Sequence, residues 1–372
     1  MGGKNINEIK NVAVVHDWLT GMRGGEVVLE AILDIFPKAD LYTLLYNEGS
    51  VSEEISSRKI YTSFIDRLPF KESGYRHYLP LFPTAIEKFD FHGYDLVISS
   101  SHCVARGVIV PPGTPHICFF HSPMRYVWDM YLDYFPDKGF ANRFIIPFFA
   151  NYLRMWDVTA APRVDRYVSN SRFVGERIRR FYGKTAHVVF PPCLDDVGVV
   201  PTKSHLGDFY LVVSALVPYK RVDLAVEAFR DLDLKLIVAG DGPEFKKLVK
   251  KAPKNVEFVG RCTRGSLENY YAGARGLIFP GVEDFGIVPV EAQSYGCPVI
   301  AYARGGALET VIDGKTGVYF YEQTVDAIRK AILKNENSKF HQKDFQKNIS
   351  RFTWGAFQKN FVREIEEMLK EY

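Results

Sequence analysis

Two glutamates, Glu283 and Glu291, stand eight positions apart in FPGVEDFGIVPVEAQSYGCPVIAY (residues 279–302), a stretch otherwise almost without charge. A carboxylate withdrawn from water needs a partner. The pattern around the pair predicts a strand ending at 280, a loop over 281–288 and a helix over 289–296, with Pro289 in the first turn and Gly296 as the stop. Such a helix start would aim the N–H groups of Gly286, Ile287 and Val288 outward, where its partial positive charge favours an anion. A phosphate there, with a carboxylate on each side to accept from hydroxyls, describes a nucleotide sugar. The plainer alternative is that Glu291 only complements the helix dipole and Glu283 is solvated.

A second cluster carries the opposite charge. In SALVPYKRVDLAVEAF (214–229), Lys220 and Arg221 fall in the loop after a strand, where a helix predicted over 221–232 begins. Cations at a helix start oppose its dipole. They make sense if an anion lies between them and the 286–289 helix end; otherwise they are two solvated side chains. His121 closes an apolar strand, HICFFHS (116–122), as either a structural or a functional imidazole. No metal is expected, because the carboxylates of Asp231-Leu232-Asp233 sit at the end of a predicted amphipathic helix, and Lys220 with a helix end can neutralise a diphosphate instead. Gly-Lys-Thr in DGKTG (313–317) is not a P-loop, since Glu309 stands where that motif needs glycine. GDGPEF (240–245) is too poor in glycine for a dinucleotide fingerprint.

The elements that must position these residues form two series. Strands are predicted at 11–18, 94–101, 116–122 and 165–171, with an amphipathic helix over 26–36. The pattern restarts with strands at 209–214, 234–242, 256–261, 275–281 and 297–302. Short β-branched runs spaced by helices argue for parallel sheets covered on both faces. The expectation is therefore α/β, with two Rossmann-like domains at 1–200 and 201–355 joined near 192–206, and a C-terminal helix at 356–372 that packs on one of them. Ligands of such sheets bind beyond the C-terminal strand ends, so two facing domains would form a deep cleft. At 372 residues, 47% hydrophobic and 24% charged, the chain is long enough for two cores. Its net charge of +3 gives no reason to expect a nucleic-acid partner. Five cysteines without a Cys-x-x-Cys pair, no signal-peptide core at the start and no run of about 18 apolar residues make the cytoplasm the expected compartment.

Several segments carry a resemblance. EDFGIVPVEA, LVPYKRVDLAVEAF, VAGDGPE and ARGGALETVIDGKTG resemble the retaining GT-B glycosyltransferases of family four. FFHSPMRYVWDMY and VDRYVSNSRFVGERIRRFYG are similar to bacterial and archaeal mannosyltransferases of O-antigen-type polysaccharide assembly. The resemblance runs over nearly the whole chain. It implies Glu291 on the donor ribose, Glu283 on the transferred sugar, and the amides of Gly286, Ile287 and Val288 on sugar and phosphate. It also implies Lys220 on the pyrophosphate, Arg261 and Cys262 near the base, and His121 beside the anomeric carbon. Gly24 and Gly25 in GMRGGE would let the backbone approach the diphosphate. The chain departs from the pattern at Ser214-Ala215-Leu216, where many relatives carry an arginine; Arg221 is the candidate substitute. Retaining chemistry of this kind needs no protein base, since the leaving phosphate can take the acceptor proton.

Residues 154–184 carry eight Lys/Arg against three acids and follow a run dense in aromatic residues. The segment 119–184 suits an anionic bilayer surface or, equally, a core with a solvated basic face. The expected protein is a hexosyltransferase with no cofactor, most simply moving mannose from GDP-mannose to a glycan or lipid-diphosphate-linked acceptor at the inner face of the cell membrane. A UDP-sugar is the alternative donor. Two other classes stay in view: a glycosidase with Glu283 and Glu291 roughly 5 Å apart on one sugar, and a non-catalytic nucleotide-sugar-binding subunit.

Overall fold

The computed structural model describes residues 6–135, 139–195, 200 and 207–372. Of the linker expected at 192–206, residues 196–199 and 201–206 lie outside the described residues. The chain divides into two compact units, Met1–Pro192 with Trp354–Tyr372, and Cys193–Thr353.

The first unit holds a parallel sheet of β1 (Val12–His16), β2 (Asp40–Thr43), β3 (Ile60–Thr62), β4 (Leu96–Ser101), β5 (His116–Phe120), β6 (Arg166–Ser169) and β7 (Ala186–Val188). Their spatial order is β3-β2-β1-β4-β5-β6-β7. Every residue of β1, β4 and β5 is buried, as a central strand covered on both faces requires. Alternate residues of β1 serve opposite cores: Ala13 and Val15 join Phe82 and Phe91, while Val12 and Val14 join Leu29 and Ile32. The last helix, Trp354–Leu369, places Phe357, Phe361, Ile365 and Met368 in that second core. Glu364 on the same helix accepts from Arg166 Nε and Nη2 at 2.9 and 2.7 Å.

The second unit repeats the plan with β8 (Phe209–Val213), β9 (Lys235–Ala239), β10 (Val256–Gly260), β11 (Leu277–Phe279), β12 (Val299–Tyr302) and β13 (Gly317–Phe320), in the order β10-β9-β8-β11-β12-β13. In each sheet the strand order reverses once, between β1 and β4 and between β8 and β11. The loops leaving the two strands at a reversal turn opposite ways and open a crevice at their C-terminal ends.

Several helix boundaries differ from those read in the sequence, among them the last helix, expected at 356–372 and found at Trp354–Leu369. The first helix begins at Gly24 rather than 26, because Glu26 Oε2 accepts from the Arg23 N–H at 3.0 Å and closes the opening turn around the two glycines. The helix expected over 221–232 stops at Ala228, so Asp231 and Asp233 lie beyond it. The helix expected over 289–296 occupies Ile287–Ser294.

The aromatic and basic segment splits between the two readings given it. Phe119, Phe120, Val127, Leu153 and Trp156 are buried, whereas Leu132, Phe140 and Phe148 are each 71% exposed. Arg163 pairs with Glu87, Arg166 with Glu364 and Arg177 with Asp129, so much of the basic charge is held inside the fold. At its centre Arg106 and Asp157 are sealed from solvent and paired. Asp157 Oδ2 also accepts from Trp128 Nε1 at 2.7 Å and Tyr182 Oη at 2.8 Å. Asp157→Ala would strand a guanidinium and two further donors, a loss of about 3–5 kcal/mol. Urea unfolding followed by tryptophan fluorescence measures it; a loss below about 1 kcal/mol would show that water reaches the pair.

Candidate active site

In the second unit the loops after β8 and β11 meet. A Cβ at Gly281 would lie 2.9 Å from the Lys220 Cα, so only glycine allows this approach. Lys220 Nζ pairs with Glu283 Oε1, and both side chains are largely buried. The Glu283 carbonyl accepts from the Gly306 N–H at 2.8 Å, which props the loop against the turn after β12. Arg221 takes the left-handed conformation, φ 53°, uncommon for a residue with a Cβ. Its Nε faces Asp223 Oδ1 at 3.2 Å, so in this structure it neutralises its own helix and does not join Lys220. Ala215 is exposed in the same loop.

Gly286, with φ 94°, caps the helix Ile287–Ser294. Pro289 is therefore its third residue, and the amides of Ile287 and Val288 belong to the first turn, where the N–H groups have no partner within the helix. Glu291 accepts from Tyr271 Oη at 2.8 Å. Burial raises its carboxyl above the ordinary range, a trend that the Tyr271 bond and Arg264 oppose but do not cancel. Glu283 and Glu291 thus have separate partners, a cation and a phenol. Arg261, just beyond β10, is exposed and faces Asp241 at 3.6 Å, while Cys262 Sγ lies 3.7 Å from the Gly260 carbonyl.

In the first unit a second cluster sits at the β1/β4 reversal. His121 follows β5 and its Nε2 lies 2.8 Å from Ser100 Oγ, which in turn lies 3.1 Å from His16 Nδ1. His16 Nε2 faces Glu26 Oε1 at 3.9 Å. The rings of His16, His102 and His121 stand 5.9–6.5 Å apart. Asp17, fully buried, accepts from the N–H groups of His102, Cys103, Val104 and Ala105 at 2.6–2.9 Å, and its Oδ2 lies 3.2 Å from His102 Nδ1. A Cβ on Gly25 would sit 3.7 Å from the His16 ring and 4.0 Å from that of His121, so Gly25 belongs to this cluster. Burial, with His102 and His16 adding to it, pushes His121 well below its ordinary value. At neutral pH it is an uncharged imidazole.

Sequence reasoning found His121, Gly24 and Gly25 but missed His16, Asp17, Glu26, Ser100 and His102. The available signal was polar residues closing two apolar strands, HD after AVV and SSSH after LVI. Among the described residues no group of His, Cys, Asp or Glu could hold a metal ion, and no helix is long and apolar enough to cross a membrane.

Two family models match consecutive parts of the chain, residues 23–196 as Glycosyltransferase Family 4 and residues 202–352 as Glycosyl transferases group 1. Together these two glycosyltransferase models span most of the chain. A glycosyltransferase of Methanocaldococcus jannaschii is 32% identical over 151 residues, 39% of this chain and 43% of that protein. A GDP-mannose-dependent α-(1-6)-phosphatidylinositol monomannoside mannosyltransferase of Mycolicibacterium smegmatis is 32% identical over 192 residues, 44% of this chain and 50% of that one. The chain thus spans about half the length, or less, of these curated relatives. An Anabaena protein solved with UDP superposes with a TM-score of 0.68 at 15% identity, over 96% of this chain and all of the other. A lipopolysaccharide outer core galactosyltransferase does so with 0.67 at 18%, over 96% and 99%. Both establish the same GT-B fold of two α/β units with parallel sheets.

Glu291 is a carboxylate whose charged form is opposed by burial. With the folded-state value raised above 4.5, its contribution to stability is present below pH 4.5 and lost as pH rises through the folded value. Glu291→Gln should therefore melt higher than the parent at pH 7.5, with the difference vanishing near pH 4. Calorimetry of both proteins across that range checks it; a variant less stable at both pH values would make Glu291 a structural acceptor for Tyr271.

Proposed function

We propose that the protein is a retaining hexosyltransferase that uses a nucleoside diphosphate sugar, with GDP-mannose as the favoured donor. It would act on a glycan or lipid-diphosphate-linked acceptor in cell-surface polysaccharide assembly. The observation that carries this reading is the buried Lys220–Glu283 pair at the β8/β11 reversal, followed three residues later by the glycine cap of the helix Ile287–Ser294. A cation, a hydroxyl acceptor and a helix end favourable to anions are what a diphosphate sugar requires.

In the reaction, the acceptor hydroxyl oxygen bonds to the anomeric carbon as the bond from that carbon to the phosphate oxygen breaks. The hydroxyl proton passes to the departing phosphate, so sugar configuration is kept and no carboxylate base is needed. Lys220 and the amides of Gly286, Ile287 and Val288 would take up charge on the diphosphate, and Glu283 and Glu291 would accept from sugar and ribose hydroxyls. Arg261 and Cys262 would lie near the base, and Gly24 and Gly25 near the diphosphate. His121, uncharged, would stand beside the anomeric carbon without repelling a sugar cation. Donor neutralisation by these groups leaves no role for a metal.

The name of the M. smegmatis relative supports GDP-mannose. A UDP-sugar is the second reading, favoured by the Anabaena neighbour solved with UDP. A glycosidase fits less well, because Glu283 is committed to Lys220 and so is a poor partner for Glu291. The exposed side chains of Leu132, Phe140, Phe144 and Phe148 support peripheral contact with a bilayer.

Thermal shift against GDP, UDP, ADP, GDP-mannose and UDP-glucose, with and without EDTA, tests the donor. A ligand at 100 times its dissociation constant adds about 2.7 kcal/mol. A shift selective for GDP, indifferent to EDTA and lost in Glu291→Ala is expected. Selectivity for UDP would change the donor, and no shift with any nucleotide would remove the reading altogether. For the membrane contact, Phe144→Asp with Phe148→Asp should abolish sedimentation with anionic vesicles and leave the nucleotide shift intact.

A further inference from the structure

We infer that Glu26, His16 and Ser100 form a relay that fixes the tautomer of His121, holding its proton on Nε2 and leaving Nδ1 bare as a hydrogen-bond acceptor. The chain is continuous, from Glu26 Oε1 to His16 Nε2 at 3.9 Å, His16 Nδ1 to Ser100 Oγ at 3.1 Å, and Ser100 Oγ to His121 Nε2 at 2.8 Å. Its direction follows from proton counting. A serine hydroxyl has one hydrogen, so Ser100 donates to one imidazole and accepts from the other.

Glu26 decides which. Burial works against its charge, but His16, a backbone N–H and His102 together outweigh it and hold the carboxyl below its ordinary value, so Glu26 is an anion at neutral pH. His16 Nε2 is buried with no hydrogen-bond partner and has this carboxylate in front of it. A bare lone pair there would face a negative oxygen, so an imidazole with a single ring proton carries it on Nε2 at this position. Its Nδ1 is then bare and takes the Ser100 hydrogen. The Ser100 oxygen can only accept, and what it accepts is the His121 Nε2–H. Asp17 does not compete, since its two oxygens already take four backbone N–H groups.

Among the described residues His121 Nδ1 has no hydrogen-bond partner, and it is not among the buried unpaired atoms. A bare, uncharged Nδ1 can accept from a hydroxyl of a bound sugar. The opposite tautomer would present a donor and select a different group. This consequence rests on the glycosyl-transfer reading; the tautomer itself does not. Glu26, His16 and Ser100 are positioning residues, acting through His121.

The experiment is 15N NMR of the full chain labelled at histidine, at pH 8 and without donor, with His121→Asn identifying the His121 lines. Protonated and bare ring nitrogens resonate far apart, so the expected parent spectrum has Nε2 in the protonated range and Nδ1 in the bare range. Ser100→Ala should bring the two lines together toward a tautomer average, and Ser100→Thr, which keeps the hydroxyl, should leave them apart. Glu26→Gln removes the charge with little change of shape and should also narrow the gap. A protonated Nδ1 in the parent, or lines unmoved by Ser100→Ala, would overturn the relay. Turnover in Ser100→Ala should fall about tenfold or more with the nucleotide thermal shift unchanged. Absence of any nucleotide shift would defeat the functional reading and leave the NMR result standing.

Discussion

Where the strand order of a parallel sheet reverses, two neighbouring strands end side by side and their chains leave in opposite directions. The backbone groups at that point lose their ladder partners and must be satisfied by something else. In the first unit the Asp17 carboxylate does this. It sits at the end of β1 and gathers four successive N–H groups of the turn after β4, all at 2.6–2.9 Å. The second unit uses the Lys220–Glu283 pair and the Gly306 N–H on the Glu283 carbonyl. Polar groups drawn in to close the crevice are thereby the ones that line it. The candidate chemistry follows from the topology.

Three carboxylates in these crevices feel burial and respond differently. Glu26 is pulled below its ordinary value because an imidazole faces it, whereas Glu291 is pushed above because only a phenol and a more distant guanidinium do. Asp17 is already enclosed by four backbone N–H groups. The contrast separates residues that stabilise the fold from one held ready for a ligand. A buried carboxylate with one weak partner gains from hydroxyls that arrive later, and one saturated with amides gains nothing.

The sequence made the chemistry of the second unit more legible than that of the first. Glu283, Glu291 and Lys220 lie on loops whose flanking strands read clearly, and a charged residue in an apolar segment is conspicuous. The helix at 287 was placed two residues late because Pro289 was assigned to the first position, while a glycine at φ 94° capped the helix earlier. Four strands, β2, β3, β7 and β13, are absent from the sequence reading; of these the edge strands β3 and β7 are three residues each, with partly exposed faces and no apolar run. His16 and Ser100 were missed for a different reason. Each looks like the ordinary end of a buried strand, and only the register that sets His16 opposite Ser100 brings them together.

That register also explains why histidine serves at position 121. A residue just past the end of β5 can be reached from β4 only by the side chain of Ser100 or by the Ser101 carbonyl, and both contacts are made. The carbonyl fixes the backbone and the hydroxyl fixes the ring. Asparagine would be too short to keep both the Ser100 bond and a second polar atom directed outward. Lysine would carry its charge into a pocket with two other imidazoles 6.2 and 6.5 Å away. An imidazole has two nitrogens on opposite sides of a rigid ring, so one can be held by the protein while the other stays available. Burial among other imidazoles keeps that available nitrogen uncharged, as the role proposed for it beside a sugar cation requires.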